Sequence, residues 1–91
     1  MQALAAFDVA DDQRRYRVTQ VLLDYGQRVQ ESVFWLECEE DLLARIRQRL
    51  LSVLNGSEDN LWIVLLCGAC ARKIEVMGVG RKPEIPDFFI F

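Results

Sequence analysis

Apolar residues recur at helical spacing in two stretches of the chain. The first stretch fills positions i, i+3, i+4 and i+7 with Val18, Val21, Leu22 and Tyr25. This spacing predicts a helix with one buried face that begins after Asp11, a natural N-cap, and ends at Gly26. A second helix is predicted from about Glu39 to Leu54. Its inner face comprises Leu43, Ile46, Leu50 and Leu54.

The segments outside these helices are rich in apolar, β-branched and aromatic residues, which predicts strands. A first strand is expected in Ala3 to Val9, and Arg28 to Cys38 is expected to be extended and divided by a turn at Glu31 and Ser32. Leu61 to Cys67 is a near-continuous apolar run, which predicts a strand that is covered on both faces. Two shorter strands are predicted at Lys73 to Met77 and at Phe88 to Phe91.

The order of these elements predicts an α+β sandwich of the ferredoxin-like type, a mostly antiparallel sheet with two helices on one face. Ninety-one residues are enough for a single domain, which we divide into a core at 1–77 and a linker with a C-terminal strand at 78–91. A free hydrophobic strand of this kind pairs with an exposed sheet edge, either in a partner molecule or in its own sheet. The fold alone assigns no function.

The composition predicts the general class of protein but not its function. The chain is 52% hydrophobic and 27% charged, as in ordinary folded proteins, and its apolar runs are far shorter than the roughly 20 residues that cross a bilayer. With no signal-peptide pattern, a cytoplasmic protein with reduced thiols is expected. Cys67 and Cys70 have the spacing of a zinc or redox pair, but only Cys38 and no His remain to complete four ligands, so a structural turn is favoured.

The distribution of cations is more informative than the net charge of −3, which argues mildly against indiscriminate nucleic-acid binding. Nine of the eleven cations are Arg, the residue favoured where paired donors bind phosphate. Ten of the eleven cations cluster as Arg14, Arg15 and Arg17; Arg45, Arg47 and Arg49; Arg72 and Lys73; and Arg81 and Lys82. For the second cluster a solvated helix face is the favoured interpretation.

Four segments of the chain together resemble the CRISPR-associated protein 2 family. They are Phe7-Asp8-Val9, the Arg-rich helix start from Asp11 to Val18, Leu23 to Gly26, and the Arg-Val-Gln-x-Ser-Val-Phe strand from Arg28 to Phe34. The resemblance continues through Leu66-Cys67 and residues 78–81 to the end, so it covers nearly the whole chain. The sequence departs from the family in its alanine-rich first strand and in Phe7, where Tyr is common.

The resemblance implies a prokaryotic protein of the spacer-acquisition machinery that forms a symmetric homodimer. It further implies a divalent metal between the two copies of the strand-end Asp, and metal-dependent cleavage of RNA or DNA in some members. The family also adds its C-terminal strand to the partner's sheet, and it lies between dimers of the integrase, CRISPR-associated protein 1.

Asp8 is the candidate catalytic residue and metal ligand. Phosphodiester hydrolysis needs an activated water and compensation for growing phosphate charge, and a divalent ion supplies both. Mg²⁺, with Mn²⁺ as the alternative ion, takes oxygen ligands and keeps several waters, so one carboxylate from each of two chains is a weak site. The alternative is that Asp8 caps a turn. Capping and the helix dipole fully explain Asp11 and Asp12, and a His base is excluded because the chain has none.

Arg15, Arg17 and Arg28 match positions at which the family commonly carries Arg near its acidic site. The resemblance makes them the candidate phosphate and nucleic-acid ligands, since fixed cations stabilise phosphoryl charge. On a helical wheel Arg15 and Arg17 flank the apolar stripe, so at least one can lie over the sheet edge near Asp8. The alternative for each Arg is an ion pair with a nearby Asp. By resemblance Ser32 and Phe34 lie beside the acidic site, where a hydroxyl orients water and an aromatic positions the nucleotide; for Phe34, core packing is favoured.

The sequence is therefore compatible with three functions. The first is a Mg²⁺-dependent endonuclease within the spacer-integration complex. The second is a catalytically silent scaffold that bridges integrase dimers and binds duplex DNA. The third is a toxin-like ribonuclease resembling the virulence-associated protein D family, against which the Gln30-x-Ser32-Val33-Phe34 motif speaks.

Overall fold

The computed structural model describes residues 1–67 and residue 69, which form a βαββαβ chain. The elements are β1 (Gln2–Asp8), α1 (Asp12–Leu23), β2 (Gly26–Gln30), β3 (Val33–Glu37), α2 (Glu40–Val53) and β4 (Asn60–Leu66). The predictions for Cys70, for the strand at 73–77 and for the linker and strand at 78–91 lie outside the described residues. No helix in the described part is long and apolar enough to cross a membrane.

The four strands that the structure describes form one sheet in the order β2-β3-β1-β4, with every neighbouring pair antiparallel. Glu31 and Ser32 separate β2 from β3, so the predicted division of this segment is confirmed. A register shift between Arg28 and Gln30 bends the edge strand β2. This order, with both helices on one face, confirms the predicted ferredoxin-like sandwich.

The main core lies between the sheet and the two helices. Because side chains alternate along a strand, every second residue of β1 contributes to this core, whereas its neighbours face the other side. Small alanines in β1 leave room for the larger side chains of the helices and of β3. The members of the core include Ala3, Ala5, Phe7, Val18, Leu22, Phe34, Leu36, Leu43, Ile46 and Leu50.

Helix α1 begins as predicted and ends earlier than predicted. The Asp11 carboxylate accepts a hydrogen bond of 2.9 Å from the Arg14 amide, which is N-capping. The helix stops at Leu23, so the predicted end at Gly26 is wrong, and Gly26 begins β2 instead. A Cβ at Gly26 would lie 2.2 Å from the Trp35 carbonyl oxygen, so glycine is required here for close approach of β3.

Helix α2 lies within one residue of its predicted bounds at each end. Leu43, Ile46 and Leu50 are fully buried on its inner face, as expected, and Leu54 is the half-buried C-cap. Glu40 and Asp41 occupy the first turn, where carboxylates complement the helix dipole.

Strand β4 differs from its prediction. Leu61 and Ile63 pack against the core, but Trp62 and Val64 on the other face are 54% and 49% exposed. Within the described residues the outer face of β4 is therefore uncovered, which differs from the predicted cover on both faces. The physical reason is that β4 is an edge strand of the described sheet and the helices cover only one face of that sheet.

Candidate functional site

The carboxylate of Asp8 lies at the carboxyl end of β1. Asp8 pairs with Asn60, the first residue of β4, and its side chain is exposed. Within residues 1–67 no hydrogen bond or ion pair engages this carboxylate, so helix or turn capping does not account for it. The structure therefore leaves Asp8 available to a ligand.

A cleft of about 200 Å³ surrounds this carboxylate. Three of the residues singled out from the sequence meet in it, because Asp8, Arg15 and Ser32 all line its wall. The β2–β3 turn is held against the end of β1 by a hydrogen bond of 3.1 Å from the Phe7 amide to the Ser32 carbonyl oxygen. The first turn of α1 supplies Arg15, and the β2–β3 turn also supplies Glu31.

The guanidinium of Arg15 is held by hydrogen bonds at the N-terminus of α1. It donates hydrogen bonds to the carbonyl oxygens of Val9, at 3.0 Å, and Ala10, at 3.4 Å. It also pairs with the Asp12 carboxylate, so the predicted alternative of local ion pairing holds for this residue. The side chain nonetheless remains 43% exposed, which leaves a positioned cation beside Asp8.

Arg28 lies on β2 and does not line the Asp8 cleft. Its guanidinium donates to the Glu31 carbonyl oxygen at 3.0 Å and stands 5.4 Å from the centre of the Phe34 ring, a cation–π distance. Among the described residues it forms no ion pair with a carboxylate. Arg28 and Arg15 line a second groove of about 310 Å³ that adjoins the Asp8 cleft, because Arg15 and Glu31 line both.

Arg17 is not brought into the Asp8 cleft. It is exposed on α1 and lines a separate shallow groove together with Asp12, Gln13 and Tyr16. Within the part of the chain that the structure describes, no carboxylate pairs with it. The structure thus separates the three predicted cations into two that adjoin the cleft and one beyond it.

Phe34 is a core residue in this structure. Its side chain is 0% exposed and its ring stacks on Phe7 with centroids 6.2 Å apart. Core packing, the role that the sequence favours, therefore describes it. Ser32 is half-buried and lines the cleft.

The cations of α2 lie away from the cleft, in agreement with a solvated helix face. Arg49 donates to the Tyr25 hydroxyl at 2.7 Å and to the Asp24 carboxylate at 3.2 Å, and these hydrogen bonds raise the pKa of its guanidinium. Arg49 thereby links α2 to the end of α1. Arg45 and Arg47 are exposed.

An interaction that the sequence did not predict connects α1 with the loop before β4. Arg14 donates to both oxygens of the Asp59 carboxylate, at 2.9 and 3.2 Å, and to Glu58 at 2.8 Å. Asp59 has a fully buried side chain and also accepts from the Asn55 amide at 2.8 Å. These hydrogen bonds, that from Arg14 first, lower the pKa of Asp59. The contact places the residue after Asp59, Asn60, beside Asp8.

The oxygen donors of the Asp8 cleft suit a hard divalent cation. Asp8 offers carboxylate oxygen, the ligand type that Mg²⁺ prefers. Within residues 1–67 and 69, no group of three or more His, Cys, Asp or Glu side chains is arranged to hold a metal. Cys38 is also unsuited, because burial raises the pKa of its thiol. Among the described residues, the carboxylates that line the cleft are those of Asp8 and Glu31.

The fold and the cleft together define a small ferredoxin-like protein in which, among the described residues, the exposed Asp8 carboxylate lies beside the Arg15 guanidinium. Residues 1–74 match the family model for CRISPR associated protein Cas2. The chain therefore belongs to the Cas2 family.

Individual relatives agree with this assignment. The CRISPR-associated endoribonuclease Cas2 1 of Chloroflexus aurantiacus is 40% identical over 82 residues, which span 89% of this chain and 88% of the relative. The CRISPR-associated endonuclease Cas2 2 of Thermus thermophilus is also 40% identical over 82 residues, or 90% and 87% of the two chains. The crystal structure of Streptococcus pyogenes Cas2 at pH 6.5 superposes with a TM-score of 0.79 at 30% identity, covering 86% of this chain and all of that one.

Proposed function

We propose that this Cas2-family chain is a divalent-metal-dependent endonuclease that cleaves RNA or DNA as a homodimer. The observation that carries the proposal is the Asp8 carboxylate, exposed and unengaged among the described residues, in a cleft that it shares with Arg15. The names of the relatives, endoribonuclease in one and endonuclease in another, support a nuclease without deciding its substrate.

The proposal assigns metal binding to Asp8 from two copies of the chain. Each copy supplies one carboxylate, in keeping with the absence of a three-ligand group in the described part of a single chain. Mg²⁺ is the expected ion and Mn²⁺ the alternative, since both accept oxygen ligands. When bound, such an ion activates water and compensates the charge that grows on the phosphate.

The remaining residues of the cleft bind and orient the substrate. Arg15, held by the Val9 carbonyl oxygen at 3.0 Å, offers further N–H donors to a phosphate oxygen next to Asp8. Arg28, fixed by the Glu31 carbonyl oxygen, offers a second cation in the adjoining groove. The Ser32 hydroxyl lines the same cleft as Asp8 and can hydrogen-bond a water or a phosphate oxygen there.

The same surface suits a second function, that of a scaffold in the spacer-integration complex with the integrase CRISPR-associated protein 1. The observation that favours it is that Arg17 and Arg28 form no carboxylate ion pairs within the described residues, so phosphate binding does not require Asp8. Family membership supports this place in the complex. A scaffold of this kind binds duplex DNA and bridges integrase dimers without cleaving either strand.

The test compares cleavage of labelled single-stranded RNA and duplex DNA by the wild-type protein, Asp8→Asn and Asp41→Asn. Asn is close in size to Asp, so Asp8→Asn removes the charge with little change in shape. Asp41 is an exposed carboxylate in the first turn of α2 and provides the matched control. Each protein is assayed with Mg²⁺, with Mn²⁺ and with a chelator, after its dimeric state is checked by light scattering.

The endonuclease predicts metal-dependent cleavage that Asp8→Asn reduces by about 100-fold or more and that Asp41→Asn leaves intact. Equal cleavage by all three proteins would remove Asp8 from the mechanism. If no protein cleaves either substrate while all bind duplex DNA, the scaffold is the better description.

A further inference from the structure

Tyr16 is an aromatic side chain that the fold does not use. It is 65% exposed on the outer face of α1. Within the described residues its hydroxyl makes no hydrogen bond and its ring meets no other ring. A single exposed aromatic is common on protein surfaces, so exposure alone says little. The grooves and arginines beside Tyr16 are more informative than its exposure.

Tyr16 forms the ridge between two grooves, because it lines both. The first, of about 310 Å³, contains Arg15 and Arg28; the second, of about 380 Å³, contains Arg17. Arg15 and Arg17 are its neighbours in sequence, and successive helical residues are about 100° apart, so cations flank the ring on both sides. Asp12 lines both grooves and is paired with Arg15, and Glu31 lines the first groove, whereas Arg28 and Arg17 form no carboxylate ion pair among the described residues.

The first groove is continuous with the cleft that contains Asp8. Arg15 and Glu31 line both, so a chain of phosphates that enters the Asp8 cleft can continue past Arg15 onto α1. Arginine side chains beside an aromatic platform are a usual surface for unpaired nucleotides, since every base has a π-face. A duplex does not offer its bases in this way, because they are already stacked within the helix.

We propose that Tyr16 is a base-stacking position for an unpaired nucleotide of single-stranded nucleic acid that runs from the Asp8 cleft across α1. This inference rests on the proposed function for the direction of the strand, but not for the stacking itself. Arg15 and Arg28 bind phosphates on one side of the stacked base, and Arg17 binds a phosphate on the other.

The test uses protein that carries Asp8→Ala, so that binding is measured without cleavage. A fluorescein-labelled oligouridine RNA of roughly 12 nucleotides, within the range of known single-strand sites, is titrated by fluorescence anisotropy. Tyr16→Ala is expected to raise Kd by at least about fivefold, the lower end for loss of one base–aromatic stack. Tyr16→Phe keeps the ring and is expected to stay within about twofold. Gln48→Ala, an exposed change on α2, is the control.

Three further measurements separate stacking from a general loss of charge or fold. Stacking releases no counterions, so Tyr16→Ala leaves the slope of log Kd against log salt unchanged, whereas Arg17→Ala lowers it by about 0.7. A series of RNAs is also tested in which each RNA lacks the base at one position. Loss of the base that stacks on Tyr16 is expected to weaken binding to the Asp8→Ala protein and to leave binding to its Tyr16→Ala variant unchanged. A duplex probe loses no affinity in Tyr16→Ala.

The proposal is overturned if Tyr16→Ala binds the RNA as tightly as the parent, if Tyr16→Phe fails to restore binding, or if duplex affinity falls equally. It is also overturned if the parent binds no single-stranded RNA. The nuclease proposal fails separately, through absence of metal-dependent cleavage by protein with Asp8 intact. If the protein does not cleave but its RNA binding depends on Tyr16, the stacking inference stands and the nuclease proposal fails.

Discussion

Replacement of Gly26 by Ala tests whether the close approach of β2 to β3 organises the sheet. The added Cβ would lie 2.2 Å from the Trp35 carbonyl oxygen and 2.6 Å from Leu36 Cδ2. The first of these atoms belongs to the backbone of a strand that pairs on both sides, with β1 and with β2. It cannot move away as the end of a flexible side chain can, so one of the two strands must shift.

The expected cost follows from two opposing effects. Overpacking of a well-packed site costs typically about 1–3 kcal/mol, and a contact this short against backbone lies at the upper end. Ala also stabilises the folded state by about 0.4–1 kcal/mol relative to Gly, because it restricts the unfolded chain. The net loss is about 2 kcal/mol, which for a domain of this size lowers Tm by about 8–16 °C.

Gly56→Ala is the matched control, because a Cβ at Gly56 meets nothing within 4 Å. Neither glycine adopts a left-handed backbone, so the two variants differ in the space available and not in conformational strain. Thermal unfolding of the wild type and both variants is followed by circular dichroism at one protein concentration, because Tm of an oligomer depends on concentration. A Tm of Gly26→Ala within 2 °C of wild type, or an equal fall in Gly56→Ala, would refute the argument.

Two further outcomes test the packing around the site. Arg14 hydrogen bonds hold the pKa of Asp59 below its ordinary 3.8, so this carboxylate stabilises the fold above that pH and the contribution is lost as pH falls through the lowered folded pKa. Arg14→Gln should therefore move the acid-induced fall in Tm to higher pH in a scan from pH 7 to 2; an unchanged acid limb contradicts the pairing. Phe34→Ala should lower the free energy of unfolding in urea by about 3–5 kcal/mol, and Phe34→Leu by less. A Leu variant that folds normally but no longer cleaves nucleic acid would contradict a purely packing role.

Local signals were sufficient for most of the fold. The N-cap at Asp11, the bounds of α2 and the division of the β2–β3 hairpin all depend on neighbouring residues and on periodicity. Gly26 was misassigned because glycine serves equally at a helix end and where two strands approach closely, and only the pairing with β3 distinguishes these uses. The exposed face of β4 was missed because an apolar run has the same sequence whether one or both faces are covered.

The candidate site was predictable only in part, for a similar reason. The helical wheel of α1 allows Arg15 or Arg17 to lie near the strand end that carries Asp8, and the structure has Arg15 in one cleft with Asp8. Arg14 and Asp59 are 45 residues apart in the sequence, so no local pattern predicts their pairing. Arg15 and Arg17 flank the apolar stripe on opposite sides of the wheel, and only the position of the sheet shows which of them lies beside Asp8.

The two tryptophans of the chain differ sharply in environment, and this gives the protein two separate optical reporters. Trp35 is 1% exposed and hydrogen-bonded to Glu37 at 3.2 Å, whereas Trp62 on β4 is 54% exposed. A soluble quencher such as iodide therefore reaches the indole of Trp62 in the single chain and not that of Trp35. Association that covers the outer face of β4 would protect Trp62 and shift its emission to shorter wavelength while Trp35 stays unchanged. Fluorescence can thus distinguish assembly from unfolding in one sample.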